Sequence, residues 1–200
     1  LRPIETVLHD LPRLPDDWLR LTEFCAGYYH APPGQVMLST LPVALRSPKS
    51  AKGARRLARP ATSAAGGQAL PALRAEQEAA LAAIHQAGPG FHSFLLHGVT
   101  GSGKTEVYLR LIESSLLAGK QALLLVPEIN LTPQLEARVA ARFPSVALVS
   151  LHSGLGEAAR QRNWQAALTA TARIVLGTRL AAFTPLPELG LIIVDEEHDP

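Results

Sequence analysis

Short apolar runs alternate with helical patterns through the second half of the chain. Four runs rich in Val, Ile and Leu predict buried strands at residues 122–126, 146–150, 173–176 and 191–194. Apolar residues between Val107 and Leu116 recur at helical spacing, and Gly119 is placed to end that helix. Strand, helix and strand in repeated order predict right-handed crossovers, so we expect an α/β fold with a parallel sheet.

A second helix is predicted to begin at Pro133, because proline is favoured at the first helical position. Leu135, Val139 and Phe143 would form its apolar face. Further along the chain, Trp164 lies at helical spacing with Arg160 and Leu168. We expect Trp164 to pack in the core rather than stack on a nucleobase.

The first 47 residues have a different pattern. Their aromatic and apolar residues predict one short helical face, and Pro32-Pro33-Gly34 would end that helix. Residues 35–41 are expected to form a strand. We therefore expect residues 1–47 to be a small α+β unit, or the closing part of one. The residues assigned to the helical face are Trp18, Leu21, Phe24, Cys25 and Tyr28.

Residues 48–72 carry five basic side chains and no acidic one, among Ala, Gly, Ser and Pro. Such a segment has little apolar surface to bury, which predicts a flexible linker between two units. A solvated spacer is the favoured interpretation, and contact with nucleic acid is the alternative. The domain organisation expected is therefore 1–47, 48–72 and 73–200.

One segment matches the phosphate-binding pattern G-x-x-x-x-G-K-[ST]. It follows the apolar residues 94–96 and opens a helix, so a strand, loop and helix are expected in that order. Backbone amides and the helix N-terminus would face the phosphates, Lys104 would reach the β- and γ-phosphates, and the Thr105 hydroxyl would bind Mg²⁺. The segment is Gly98, Val99, Thr100, Gly101, Ser102, Gly103, Lys104 and Thr105.

A cluster of acidic residues follows the last predicted strand. Ligands of α/β proteins bind at the carboxyl ends of parallel strands, so Asp195 and Glu196 are expected at such a site. Asp195 would hold Mg²⁺, and Glu196 would polarise the water that attacks the γ-phosphate. ATP and Mg²⁺ are the cofactors that these residues indicate, and a solvated acidic turn is the alternative.

Other features of the composition exclude some classes of protein. The one cysteine, Cys25, cannot form an internal disulfide, and no apolar run reaches the roughly 20 residues that span a bilayer. A reducing cytoplasmic compartment and no membrane association are therefore expected. The histidines have no metal-binding spacing.

Taken together, these motifs resemble the PriA family of primosomal replication-restart DNA helicases (primosomal protein N-prime), which belong to superfamily 2. The resemblance is dense over residues 73–200 and moderate over 1–47. It implies a RecA-like P-loop NTPase lobe, preceded by part of a small DNA-binding domain that recognises a DNA 3′ end. It also implies that Gln77 reads the adenine and that His198 couples nucleotide state to a neighbouring motif.

The resemblance further implies two segments that contact single-stranded DNA. The residues concerned are Glu128, Thr132 and Gln134 in the first segment and Gly177, Thr178 and Arg179 in the second. Leu180 stands where the family has Ser. The 25 residues of the linker are too few for the winged-helix domain that the family places there.

The activity implied is ATP-driven 3′→5′ translocation on single-stranded and forked DNA during replication restart, in the bacterial cytoplasm at the nucleoid. Primosome proteins and single-strand-binding protein are the implied partners. We expect the chain to be an excerpt, with a second motor lobe and a cysteine-bound zinc beyond Pro200. An RNA helicase, or a fragment that binds nucleotide and DNA without turnover, are the alternatives.

Overall fold

The structure is a computed structural model that describes residues 11–46, 71–99, 101–127 and 133–196. Most of the predicted linker lies outside these ranges. Two helices form the described part of the amino-terminal unit, α1 (Asp16–Tyr28) and α2 (Pro33–Thr40), and a 3₁₀ helix follows at Val43–Leu45.

The remaining elements form the α/β lobe. Their order along the chain is α3 (Ala75–His85), α4 (Lys104–Leu117), β1 (Gln121–Leu125), α5 (Pro133–Arg142), β2 (Leu148–Leu151), α6 (Glu157–Leu168), β3 (Ile174–Gly177), a second 3₁₀ helix (Arg179–Phe183) and β4 (Leu189–Val194). All four predicted strands are present, with ends shifted by at most two residues. The helix boundaries at Pro133 and Gly119 are also confirmed, and Gly119 has the positive φ (73°) typical of a helix C-terminus.

The described strands form one parallel sheet in the order β2-β3-β1-β4. Strand β1 is central, and its Leu124 pairs with Leu176 on one side and with Ile193 on the other. The α/β fold with a parallel sheet is thus confirmed.

Helices cover both faces of the sheet, which explains why its strands are almost continuously apolar in sequence. On one face, Tyr108 and Ile112 of α4 and Val139 of α5 pack against Leu124 and Leu176. The other face is covered by a separate cluster that includes Leu123, Val149, Leu151, Ala167, Val175, Ala181 and Leu186. Trp164 is buried, as expected.

One expectation for the amino-terminal unit is wrong. Residues 35–41 are not a strand, since α2 covers most of them and begins at Pro33. The first helix does end before Pro32, but Pro33 also occupies the first position of the next helix, where its fixed φ suits the helix and its missing N–H is not needed.

The buried face of α1 also differs from the predicted one. Trp18, Thr22 and Ala26 are buried, at i, i+4 and i+8, whereas Phe24 and Tyr28 are 65% and 67% exposed. The Thr22 hydroxyl donates to the carbonyl of Leu19 at 2.8 Å, so burial does not leave it unpaired. Trp18 was predicted to lie on this face, whereas the small residues Thr22 and Ala26 were not.

The strand expected before the phosphate-binding loop is a third difference. Residues 94–96 have no regular secondary structure, and Phe94 and Leu95 are exposed. Leu96 alone packs against the core. An apolar run becomes a strand only where its backbone pairs with a neighbour, and none of the described strands pairs with this one.

A buried amide side chain joins three parts of the lobe. Gln121, the first residue of β1, is fully buried, and its Nε2 donates to the carbonyls of Ala167 (3.0 Å) and Ala172 (2.8 Å). Its Oε1 accepts from the backbone N–H of Glu188 at 3.0 Å. The side chain therefore forms hydrogen bonds with backbone groups at the end of α6, just before β3 and just before β4.

We predict that Gln121→Leu lowers the free energy of unfolding by about 3 kcal/mol. Leucine keeps the volume, but two carbonyls and one N–H lose a buried partner, and each such loss costs about 1–3 kcal/mol. Denaturant unfolding of both chains checks this. Gln86→Leu, at an exposed position, is the matched control and should stay within about 0.5 kcal/mol of the parent. Equal midpoints for the two variants would contradict the role of Gln121.

Candidate nucleotide and nucleic-acid sites

The carboxyl ends of the parallel strands gather the predicted functional segments at one edge of the sheet. Asp195 follows β4, Pro127 follows β1, and Thr178 follows β3. Because the order is β3-β1-β4, the acidic turn after β4 and the predicted DNA residues after β3 lie on opposite sides of the end of β1.

The phosphate-binding loop is closed by contacts among its own residues. Lys104 Nζ donates to the carbonyl of Gly98 at 2.6 Å, and the N–H of Ser102 donates to the carbonyl of Val99 at 3.1 Å. Gly101 and Gly103 both have positive φ, at 80° and 88°. These conformations favour glycine and turn the chain from the loop directly into α4.

Gln77 contacts this loop from α3. Its Nε2 donates to the carbonyl of Gly103 at 3.0 Å, and its Oε1 accepts from the backbone N–H of Arg74 at 2.9 Å. A Cβ at Gly103 would come within 2.5 Å of that Nε2. Position 103 therefore requires glycine for two reasons: its φ is positive, and Gln77 leaves no space for a Cβ.

Asp195 is held by both its backbone and its side chain. Its N–H donates to the carbonyl of Leu125 at 2.9 Å, continuing the ladder between β4 and β1. Its Oδ1 accepts from the hydroxyl of Tyr108 on α4 at 3.0 Å. Burial, together with the carboxylates of Asp195 and Glu196, raises the pKa of Tyr108, so its hydroxyl stays protonated and donates.

The next acidic residue, Glu196, lies in the turn after β4. Glu196 has φ 49°, in the left-handed region that non-glycine residues seldom adopt, and it is exposed. Such a conformation costs about 1–2 kcal/mol and is common at functional sites.

The side chains present fit magnesium bound together with a nucleotide. Mg²⁺ takes oxygen ligands, and it commonly binds through one or two carboxylates plus substrate phosphates and waters. Asp195 has one carboxylate oxygen engaged by Tyr108, which leaves the other to bind. Within the described ranges, no group of three or more His, Cys, Asp or Glu side chains could hold a metal ion by itself.

The residues predicted for DNA contact are only partly brought together. Arg179 and Gln134 are exposed, whereas Thr178 is buried, with its N–H donating to the carbonyl of Leu151 at 3.2 Å. Gly177 is buried at the end of β3, where a Cβ would overlap Ala181. Four predicted site residues lie outside the described residues: Thr100, Glu128, Thr132 and His198.

A network of charged side chains beside the loop was not predicted. Glu106 is buried, and its Oε1 lies 3.1 Å from Arg110 Nε and 3.5 Å from Arg142 Nη2. Arg142 Nη2 also lies 3.6 Å from Glu113 Oε2, so α4 and α5 are linked by ion pairs. The i, i+4 spacing of Glu106 and Arg110 was a signal in the sequence, but the contact with Arg142 was not.

The amino-terminal unit docks on the lobe next to the second segment predicted to contact DNA. Trp18 Nε1 donates to the carbonyl of Phe183 at 2.7 Å, at the end of the 3₁₀ helix that begins with Arg179. A cavity of about 140 Å³ separates the two parts nearby, with Arg46, Arg160 and Thr178 among its lining residues.

Comparison with known families agrees with this geometry. The profile of DEAD/DEAH box helicases matches residues 74–199. The chain belongs to that family. A second profile, described as a 3′ DNA-binding domain (3′BD), matches residues 1–42. The second match covers the unit that docks through Trp18.

Individual relatives carry the name Replication restart protein PriA. The protein from Synechocystis sp. is 56% identical over 110 residues, which is 55% of this chain and 13% of the relative. That from Bacillus subtilis is 52% identical over 106 residues, or 53% and 13%. That from Treponema pallidum is 50% identical over 128 residues, or 64% and 19%. The resemblance to the PriA family is thus confirmed, and the chain spans less than a fifth of the length of these relatives.

None of the helices in the described part of the chain has both the length and the hydropathy needed to cross a bilayer.

We predict that Gly103→Ala weakens nucleotide binding on the order of tenfold more than Gly119→Ala does. Both glycines have positive φ, so both variants carry backbone strain of about 1–2 kcal/mol. Only at 103 does the new methyl group also displace Gln77, since the space around Gly119 is open. Titration with a fluorescent ATP analogue measures the difference, and equal losses would argue against the contact with Gln77.

Proposed function

We propose that this chain is the first, ATP-binding lobe and part of the DNA-binding domain of an ATP-dependent 3′→5′ DNA helicase that acts in replication restart. The observation that carries the proposal is the approach of the phosphate-binding helix to the end of β4, fixed by the 3.0 Å bond between Tyr108 and Asp195. This approach supports a site to which Lys104, Thr105 and the acidic turn would all contribute.

Each of these groups has a distinct part in the proposed hydrolysis. Lys104 and the loop amides bind the β- and γ-phosphates, while the Thr105 hydroxyl and the Asp195 carboxylate would hold Mg²⁺. The ion, when bound, neutralises charge that develops on the phosphates. Glu196 orients the attacking water, and its exposed position allows it to reach a nucleotide at the edge of the sheet. Gln77 would read the adenine while its amide contacts the loop.

Single-stranded DNA is proposed to cross the carboxyl ends of β1 and β3. Arg179 supplies an exposed guanidinium there, and Gln134 supplies an exposed amide at the start of α5. Glu128 and Thr132 would complete the first segment, and His198 would couple the two sites. Contacts to the DNA backbone rather than to bases suit a motor that must move along any sequence.

The wider assignments rest on the relatives. The chain is similar to proteins named for replication restart. For that reason we propose forked DNA as the substrate, and primosome and single-strand-binding proteins as partners. We also propose a cytoplasmic and nucleoid setting, and zinc beyond Pro200. The 200 residues by themselves are proposed to bind nucleotide and DNA without turnover, because a second motor lobe would complete the cleft. ATP hydrolysis by the isolated chain, with and without single-stranded DNA, tests this, and DNA-stimulated turnover would contradict it.

We predict that the full-length protein unwinds a partial duplex with a 3′ single-stranded tail and not one with a 5′ tail. Lys104→Ala should abolish unwinding and weaken ATP binding by at least about tenfold, because it removes the charge that faces the phosphates. Lys120→Ala is the matched control, since Lys120 pairs with Glu188 on the surface. Unwinding only from 5′ tails would overturn the direction, and full activity of Lys104→Ala would overturn the site.

We also predict that Glu196→Gln in the full-length protein retains ATP binding and slows DNA-stimulated hydrolysis on the order of a hundredfold or more. Glutamine keeps the shape of the side chain but cannot accept a proton. Asp195→Asn should instead weaken Mg-dependent ATP binding itself, since a carboxylate is lost from the proposed ligand set. Steady-state hydrolysis and equilibrium binding separate the two effects. Hydrolysis within a few-fold of wild type for Glu196→Gln would assign the water-orienting role elsewhere.

A further inference from the structure

Tyr108 makes a polar contact that the proposed mechanism does not use. We propose that Tyr108 is a positioning residue: its hydroxyl fixes the carboxylate of Asp195 and thereby sets the affinity of the site for Mg²⁺ when a nucleotide is bound. The inference rests on the proposed function, since it concerns the same cleft. It adds a residue that lies outside the phosphate-binding pattern and the acidic cluster.

The contact joins two elements that are distant in sequence. Tyr108 is the fifth residue of α4, and Asp195 lies 87 positions later, directly after β4. Tyr108 is 9% exposed as a residue and packs in the core cluster with Ile112 and Val139. Its hydroxyl reaches out of that cluster to the half-buried carboxylate at 3.0 Å.

Packing alone does not account for this residue. A phenylalanine would fill the same space in the core, and the hydroxyl is tolerated there only because it has a partner. Within the described ranges, that partner is the Asp195 carboxylate and no other group. The bond engages one carboxylate oxygen and leaves the second, with its lone pairs, for a cation or its bound water.

The position of Tyr108 on α4 relates its bond to Asp195 to the residues proposed to bind the phosphates. Residues three and four apart lie on one helix face, so Tyr108 shares a face with Lys104 and Thr105. A carboxylate bonded to Tyr108 is therefore held beside the helix turn that carries both groups. The backbone of Asp195 is already fixed by its hydrogen bond to the carbonyl of Leu125. The side chain of Asp195 could still rotate, and the bond from Tyr108 restricts that rotation.

Groups that orient a metal ligand typically contribute 10–100-fold to metal affinity. For Tyr108→Phe in the full-length protein, we expect the Mg²⁺ concentration that half-saturates binding of a fluorescent, non-hydrolysable ATP analogue to rise on the order of tenfold. Binding of the same analogue in EDTA should stay within about twofold of wild type, because the phosphate-binding loop is intact.

Two further variants separate positioning from packing. Tyr29→Phe removes an exposed hydroxyl far from the cleft and should leave the Mg²⁺ midpoint unchanged. In an Asp195→Asn background, Tyr108→Phe should shift the midpoint little further, because the carboxylate that it positions is already absent. If Tyr108→Phe folds poorly by thermal unfolding, Tyr108→Met supplies a second variant without the hydroxyl.

Each outcome bears on one proposal. An unchanged Mg²⁺ midpoint in a folded Tyr108 variant, or an equal loss of binding with and without Mg²⁺, would overturn the positioning role while the proposed function stands. A full additional shift in the Asp195→Asn background would also overturn it. Nucleotide binding by wild type that does not respond to Mg²⁺ would instead refute the proposed function, and the role of Tyr108 would fail with it.

Discussion

Pairing of β1 along both of its edges is the constraint on which the rest of the lobe depends. At its beginning, Gln121 satisfies the backbone groups that lead into the two neighbouring strands. At its end, the carbonyl of Leu125 accepts from Asp195, and the N–H of Val126 donates to Gly177. The acidic turn and the predicted DNA segment are therefore fixed relative to each other by one strand. A shift of β1 by a single residue would reverse its side chains between the two core clusters and move both segments.

The sequence predicted those parts of the fold that depend on local patterns. Buried strands have continuous Val, Ile and Leu runs, so the four described strands were predicted correctly. The strand at 94–96 and the aromatic face of α1 were wrong, because each depends on what packs against it. The bond between Tyr108 and Asp195 could not be predicted, since no pattern relates residues 87 positions apart until the sheet order is known.

Charge inside the lobe is concentrated between α4 and α5. Glu106 follows the proposed Mg²⁺ ligand Thr105, and it is bridged to Arg142 at the last turn of α5. Separating these helices would leave a buried charge without a partner, which is costly, whereas moving them together keeps the ion pairs. These ion pairs therefore join the helix that carries Lys104 to the helix that begins at Pro133.

The second segment predicted to contact DNA, at residues 177–179, is held in place by different contacts. Thr178 and Arg179 lead into a 3₁₀ helix whose last carbonyl, at Phe183, accepts from Trp18 of the amino-terminal unit. Because a 3₁₀ helix of five residues is too short to be stable alone, its position depends on what packs around it. One side of it contacts the sheet through Ala181, and the other is bonded to α1. The unit matched by the 3′ DNA-binding profile is thus bonded directly to the 3₁₀ helix that begins with the exposed Arg179.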